Sequence, residues 1–269
     1  MKNITQRQYL GFLNTPNLWK GNVVKDLQQF EMPLEYEQLN CAEDFNEIRL
    51  GKRVEQFFNY QIEKSSEFKS IVANLQIKNE KITIGELDAL IASKTELYHI
   101  EIVYKFYLYD PNITTKNELD KWIGPNRKDT LIYKLDKLKQ KQLPLLYSKH
   151  TEKAIRHFNL KAIHLNQQVY YKAQLFLPFE SEDVSINPLN KSCVYGFYLN
   201  FDTIERFSEC KMFIPRKLDW LAQPHAEVNW LDFETGKTEI FKFISEKRSP
   251  MVWLKSKKES FQKCFITFW

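Results

Sequence analysis

Four residues near the middle of the chain have types and spacing suited to phosphodiester chemistry: Glu86, Asp88, Glu101 and Lys105. Side chains alternate faces along a strand. Glu86 and Asp88 therefore share one face of their run, and Glu101, Val103 and Lys105 share one face of the next. Paired as a hairpin, these runs bring two or three carboxylates and an ammonium together. Buried carboxylates repel one another unless a cation lies among them. Carboxylate oxygens, water and substrate phosphate are the usual surroundings of Mg2+. Such an ion acidifies a water and screens charge on phosphorus, and a lysine beside it adds to that screening. Alternation leaves a second reading open, in which Lys105 merely neutralises Glu101 or Glu86 on a half-exposed sheet.

The elements that must position these residues can be read from the flanking pattern. Residues 47–60 place Ile48, Val54, Phe57 and Phe58 at helical spacing, predicting a helix that bears Glu55. Residues 71–78, 82–92 and 98–109 are rich in Ile, Val, Leu and aromatics and are separated by Asn79-Glu80-Lys81 and Ser93-Lys94-Thr95, predicting three strands. Residues 128–142 carry Leu131, Ile132, Leu135 and Leu138 on one side, with Lys134, Lys137, Lys139 and Lys141 on the side read as exposed. Pro144 ends that helix. A second helical stretch is expected over 151–158 and a strand over 169–177. The order from residue 47 is thus αβββαβ, an α/β (α+β) chain.

Gly85-Glu86-Leu87-Asp88-Ala89-Leu90-Ile91, followed by Glu101, resembles the motif of PD-(D/E)XK nucleases, a restriction-endonuclease-like superfamily with an αβββαβ core. The resemblance implies that Asp88 and Glu101 bind Mg2+ or Mn2+, that Lys105 serves the attacking water, and that Glu55 assists. The usual E-x-K spacing would put the lysine at 103, where Val103 stands. Lys105 is two residues, about 6.6 Å, further along the same face. Longer segments resemble a bacterial family, DUF1853, grouped with that superfamily. They are Arg49-Leu50-Gly51-Lys52-Arg53-Val54-Glu55, Glu101-Ile102-Val103-Tyr104-Lys105-Phe106-Tyr107-Leu108, Trp122-Ile123-Gly124-Pro125-Asn126, Lys141-Gln142-Leu143-Pro144 and Ile214-Pro215-Arg216-Lys217-Leu218-Asp219-Trp220-Leu221.

Charge points to the same substrate class. Residues 1–120 hold 14 basic and 18 acidic side chains, 121–180 hold 12 and 4, and 181–269 hold 13 and 12. A local basic excess suits a phosphate backbone, DNA above RNA, with Arg127, Lys128, Lys134, Lys137 and Lys141 as candidate contacts. A solvated helix face is the alternative. Trp122, Asn126 and Arg127 fit either a loop over a nucleic-acid groove or a helix cap with a buried indole. No GxxxxGKS or GxGxxG pattern occurs, which argues against a nucleotide-binding phosphate loop.

The expected organisation is a helical or irregular extension over 1–46, the nuclease-like core over 47–180 and a β-rich region over 181–269. The Glu180-Ser181-Glu182-Asp183 run marks the last boundary. Tail strands are expected over 194–199, 211–214, 227–231 and 239–243. The C-terminal region is a candidate surface for a protein partner or the substrate. Its Lys255, Lys257, Lys258 and Lys263, interleaved with Trp253, Phe261, Phe265 and Trp269, suit either base stacking or an amphipathic element packed on the body. His150, His157 and His164, seven apart, lack a completing carboxylate pattern, and His99 fits packing or an edge of the site. Cys41, Cys193, Cys210 and Cys264 form no CxxC pair and are expected as free thiols. With no 18-residue apolar run and no signal-like start, the expected location is the cytoplasm.

Overall fold

The apolar runs that flank the acidic residues become strands with nearly the expected limits. The structure, a computed structural model, describes residues 2–33, 38–39, 45, 49–181 and 184–269. Helix α1 (Lys2–Asn14) is followed by α2 (Leu50–Lys64). Strands β1 (Lys69–Asn79), β2 (Ile82–Ala92) and β3 (Leu97–Tyr109) then form an antiparallel meander. Short β4 (Trp122–Ile123) pairs with the end of β3, and α3 (Leu131–Lys137) and α4 (Lys149–Ile155) lead to β5 (Leu165–Pro178). Strand β5 returns parallel to β3, with Glu101 opposite Val169 and Lys105 opposite Ala173.

Both faces of β3 and β5 are covered, so both strands are nearly continuous in apolar side chains. The α2 residues Val54, Phe57 and Phe58 pack with Ile100, Ile102 and Tyr104 on one face. Leu131, Leu135 and Leu138 pack with Val103, Tyr107 and Tyr171 on the other. The expected start of the α2 helix, Glu47 and Ile48, lies outside the described residues, as do Cys41 and the boundary residues Glu182 and Asp183.

The remaining strands continue the same sheet. These are β6 (Val194–Asn200), β7 (Lys211–Phe213), β8 (Met251–Lys255) and β9 (Phe261–Thr267), with α5 (Phe233–Ser245) between β7 and β8. Among the described residues the nine strands make one mixed sheet in the order β1-β2-β3-β5-β6-β9-β8-β7, with β4 beside β3. No described helix is long and apolar enough to cross a membrane.

Two expectations for the tail change. Residues 239–243 are helical, because Asp232 caps the N-terminus by accepting the Thr235 N–H and Phe233, Gly236 and Ile240 form a buried stripe at helical spacing. Residues 227–231 form no strand, and only Leu231 pairs, with Met212. Of the two readings of the aromatic tail, the structure supports packing on the body, because the Trp253 and Phe265 rings are fully buried in the sheet core. Cys193 and Cys264 are buried and Cys210 is half-buried, all three as free thiols.

Strand β6 is pressed tightly against β9 at Gly196. A Cβ there would stand 1.8 Å from the Lys263 carbonyl oxygen, and backbone cannot step aside as a flexible side chain can. Gly196→Ala is expected to cost about 2–3 kcal/mol, read as a melting temperature several degrees lower. An unchanged melting temperature would contradict this close approach.

Candidate metal centre

The site forms where two strands part. Strands β2 and β3 are paired only from Ala89–Ala92 to Leu97–Ile100. Beyond that point β2 stays with β1, while β3 runs on beside β5. The fork would leave backbone groups of β3 without partners, at a cost if buried. Asp88 fills the gap, its Oδ2 accepting the Ile102 N–H at 2.8 Å. The Asp88 N–H in turn faces the Glu101 carboxylate. Side chains thus take over where the ladder ends, and they bring Asp88 and Glu101 together.

Glu101 is fully buried and its orientation is set from both sides. Oε1 lies 3.1 Å from His99 Nε2, and Oε2 accepts from Gln142 Nε2. Gln167 Nε2 donates to His99 Nδ1 at 3.0 Å, which assigns the His99 proton to Nε2 as a donor to Glu101. Burial lowers His99 to about 4, so it is a neutral donor near pH 7. Gln142 also accepts from the Lys134 ammonium at 2.6 Å. It reaches inward because α3 ends at Lys137 and the chain widens into an i→i+5 turn over Leu138–Gln142, instead of the single helix expected over 128–142.

The electrostatics follow from this enclosure. Burial, and then the charge of Glu101, push the Asp88 carboxyl well above its ordinary value. Burial raises Glu101 too, against the pull of Lys134 and of the Gln142 hydrogen bond. Lys134 itself is lowered by burial, which outweighs the attraction of Glu101 and Asp88. Two acids and one ammonium therefore share a poorly solvated space.

A second acidic layer borders Asp88. Carboxylate oxygens of Glu55, Glu86 and Asp88 lie within 4.8 Å of one another. The Lys52 ammonium bonds Glu55 at 2.7 Å and Glu86 at 2.5 Å. Burial lowers Lys52, but those bonds and charges prevail and hold it above its usual value. The Asn74 side-chain amide also donates to Glu55 and Glu86. Asn74 sits within β1 at φ +53°, a left-handed conformation that asparagine tolerates better than most residues. An oxygen-only donor set of this kind fits a hard divalent cation such as Mg2+ or Mn2+.

Asp88 thus stands between Glu101 on one side and Glu55 and Glu86 on the other, and among the described residues the carboxylates close enough to share one ion are Glu55, Glu86 and Asp88, without Glu101. Lys105 points its ammonium to Asp129, and Val103, at the usual lysine position, is buried in the α3-side core. The ammonium that acts on both Asp88 and Glu101 belongs to Lys134, which the spacing had put on the exposed side. Arg127 is engaged by Asp110 at 2.8 Å and lies over the Trp269 ring at 4.5 Å. Trp122 is buried, while Lys128, Lys137 and Lys141 are exposed. His157 and His164 are exposed on the turns after α4.

Sequence reasoning missed Lys52, Asn74, Gln142 and Gln167. Lys134 carried a readable signal: it stands three residues after Leu131 and four before Leu138, on the helix side that those leucines bury.

A model of the family described as "Domain of unknown function (DUF1853)" matches residues 7–263. No curated protein and no solved structure matches the chain.

Proposed function

We propose a nuclease function for this chain, which belongs to the DUF1853 family. The reading is a Mg2+- or Mn2+-dependent phosphodiesterase acting on nucleic acid, DNA before RNA, built on a PD-(D/E)XK-type core. The observation that carries it is the meeting of Asp88 and Glu101 at the β2–β3 fork, with Glu55 and Glu86 beside Asp88 and the charge of Lys134 acting on both. Further support comes from the element order α2-β1-β2-β3-β4-α3-α4-β5, which contains the αβββαβ order that the superfamily resemblance implies.

In this reading Asp88 and Glu101 hold the ion, and Glu55 and Glu86 complete the acidic wall. When bound, the ion acidifies a water and screens charge on the phosphate. His99 and Gln142 keep Glu101 from rotating, so its ligand geometry exists before the substrate arrives. Lys52 and Asn74 hold Glu55 and Glu86 at short range. The Lys134 ammonium stabilises negative charge on the phosphate oxygens, the part that the resemblance assigns to Lys105.

One observation favours a second reading, a nucleic-acid-binding module without catalysis. Lys52 already supplies a cation between Glu55 and Glu86, and Lys105 is held by Asp129. The two readings separate in calorimetry with Mg2+ and Mn2+, run beside cleavage assays on labelled single- and double-stranded DNA and RNA. The nuclease reading expects carboxylate-dependent metal binding and a cut strand. Intact substrates and no metal heat would leave the binding module.

A further inference from the structure

Two sequence segments that the proposed chemistry does not use, Trp122-Ile123-Gly124-Pro125-Asn126 and Ile214-Pro215-Arg216-Lys217-Leu218-Asp219-Trp220-Leu221, are far apart in the chain but form the walls of one trough. A cavity of about 660 Å3 is lined by Arg49, Lys105, Lys128, Lys217 and Trp220, among others. A neighbouring cavity of about 380 Å3 is lined by Arg216, Lys217, Trp220 and Arg248. Asn126, Lys217 and Trp220 belong to both, so the two cavities adjoin. Asn126 is fixed at the junction of the two cavities by accepting, at 2.8 Å, the N–H of Ser249, which lines the smaller one.

The lining has an imbalance of charge. Arg49, Lys128 and Lys217 are exposed and make no ion pair with any described carboxylate. Asp129 is the acid of the larger cavity, and Lys105 already holds it. Cations grouped around a concavity raise the local positive potential and attract an anion. The lining also holds an aromatic platform. Trp220 packs perpendicular to Phe106 and Phe265, with ring centroids at 5.3 and 5.0 Å, so its indole is held in place, and the Lys217 ammonium lies 5.9 Å over its ring, a cation that an incoming base would displace toward the phosphates. Cations that follow a backbone, with a fixed aromatic ring among them, are the features that bind single-stranded nucleic acid.

The trough also adjoins the carboxylates. Leu50 and Gly51 line it at the start of α2, and Lys52 and Glu55 follow on the same helix. Lys105 lines it on β3, four residues, about 13 Å, beyond Glu101. We propose that this trough binds a single-stranded segment of nucleic acid flanking the carboxylate site, with Arg49, Lys128 and Lys217 on its phosphates and a base stacked at Trp220. Its identity as the strand to be cut rests on the nuclease reading; the binding itself does not.

The test is fluorescence anisotropy of the full chain with a labelled single-stranded DNA of roughly 15 nucleotides, a length that spans such a groove. EDTA is included so that no strand is cut. The double variant Lys128→Glu/Lys217→Glu is compared with Lys20→Glu/Lys153→Glu, two exposed lysines outside the trough that give the same change in net charge. The trough variant is expected to bind at least roughly tenfold more weakly and with a shallower salt dependence, while the control stays near wild type. Circular dichroism checks that both remain folded. Equal losses in the two variants, no binding by the wild type, or tighter binding of the matching duplex would overturn the proposal. Trough-dependent binding without any cleavage in Mg2+ or Mn2+ would remove the nuclease reading and leave the trough standing.

Discussion

Asp88→Asn is expected to lower the rate of strand cleavage by roughly 10^3-fold, the scale of losing metal-borne stabilisation of a charged transition state. The substitution is nearly isosteric, and its amide oxygen can still accept the Ile102 N–H that Asp88 holds at the strand fork. The fold should therefore survive, and stability supplies a second readout. Asp88 has a folded-state value above its unfolded 3.8, so the native state binds more protons than the unfolded chain above that pH. Stability in EDTA should then fall as the pH rises above 3.8, because the acid must ionise beside Glu101. Asp88→Asn removes the acid, so this loss should shrink and the variant should match or exceed the wild type near pH 7 without metal. Added Mn2+ should stabilise the wild type and leave the variant nearly unchanged. Thermal unfolding with and without Mn2+, beside cleavage of labelled DNA, measures both. A variant that cuts as fast as wild type removes Asp88 from the chemistry.

How far the site was legible can be judged from the same residues. The limits of β2 are readable because Asn79-Glu80-Lys81 and Ser93-Lys94-Thr95 interrupt apolar runs, and β2 spans Ile82–Ala92 as expected. Alternation then gives the shared face of Glu86 and Asp88. It cannot give the fork. The β2–β3 ladder stops at Ala89 and Ile100, and the meeting of Asp88 with Glu101 depends on side-chain bonds beyond it. Nor can periodicity show that Asn74 takes a left-handed turn inside β1, since a strand pattern assumes extended backbone throughout. Residues 239–243 read as a strand for a related reason. Ile240, Phe241 and Phe243 satisfy a short apolar run, and only the longer window from the Asp232 cap to Ile244 reveals the helical period. Gln142 depends on a widened turn, a departure from ideal helix that no 3.6-residue count contains.

Lys134→Met is expected to lower cleavage by roughly 10^2- to 10^3-fold, comparable to removing one preorganised donor from a site of developing charge, whereas Lys105→Met should have a much smaller effect. The difference follows from what each ammonium faces. Lys105 is paired with Asp129, while Lys134 bonds Gln142, the residue that donates to Glu101, and acts on Asp88 and Glu101 through space. Metal binding separates this role from that of the acids. Removing a positive charge beside the carboxylates relieves a competitor, so Lys134→Met should bind Mn2+ at least as tightly as wild type, while Asp88→Asn binds it more weakly. The pH profile gives a further sign. Burial lowers Lys134 below 10.5, so its charge is lost earlier on the alkaline side than that of an exposed lysine. Activity that needs the cation should decline along that limb, and Lys134→Arg, which keeps its charge, should extend it. Single-turnover cleavage of labelled DNA across pH, paired with Mn2+ calorimetry, reads all of these effects. If Lys105→Met is the more damaging change and Lys134→Met is harmless, the lysine displaced along β3 is the working one, and the widened turn after α3 serves only to orient Glu101.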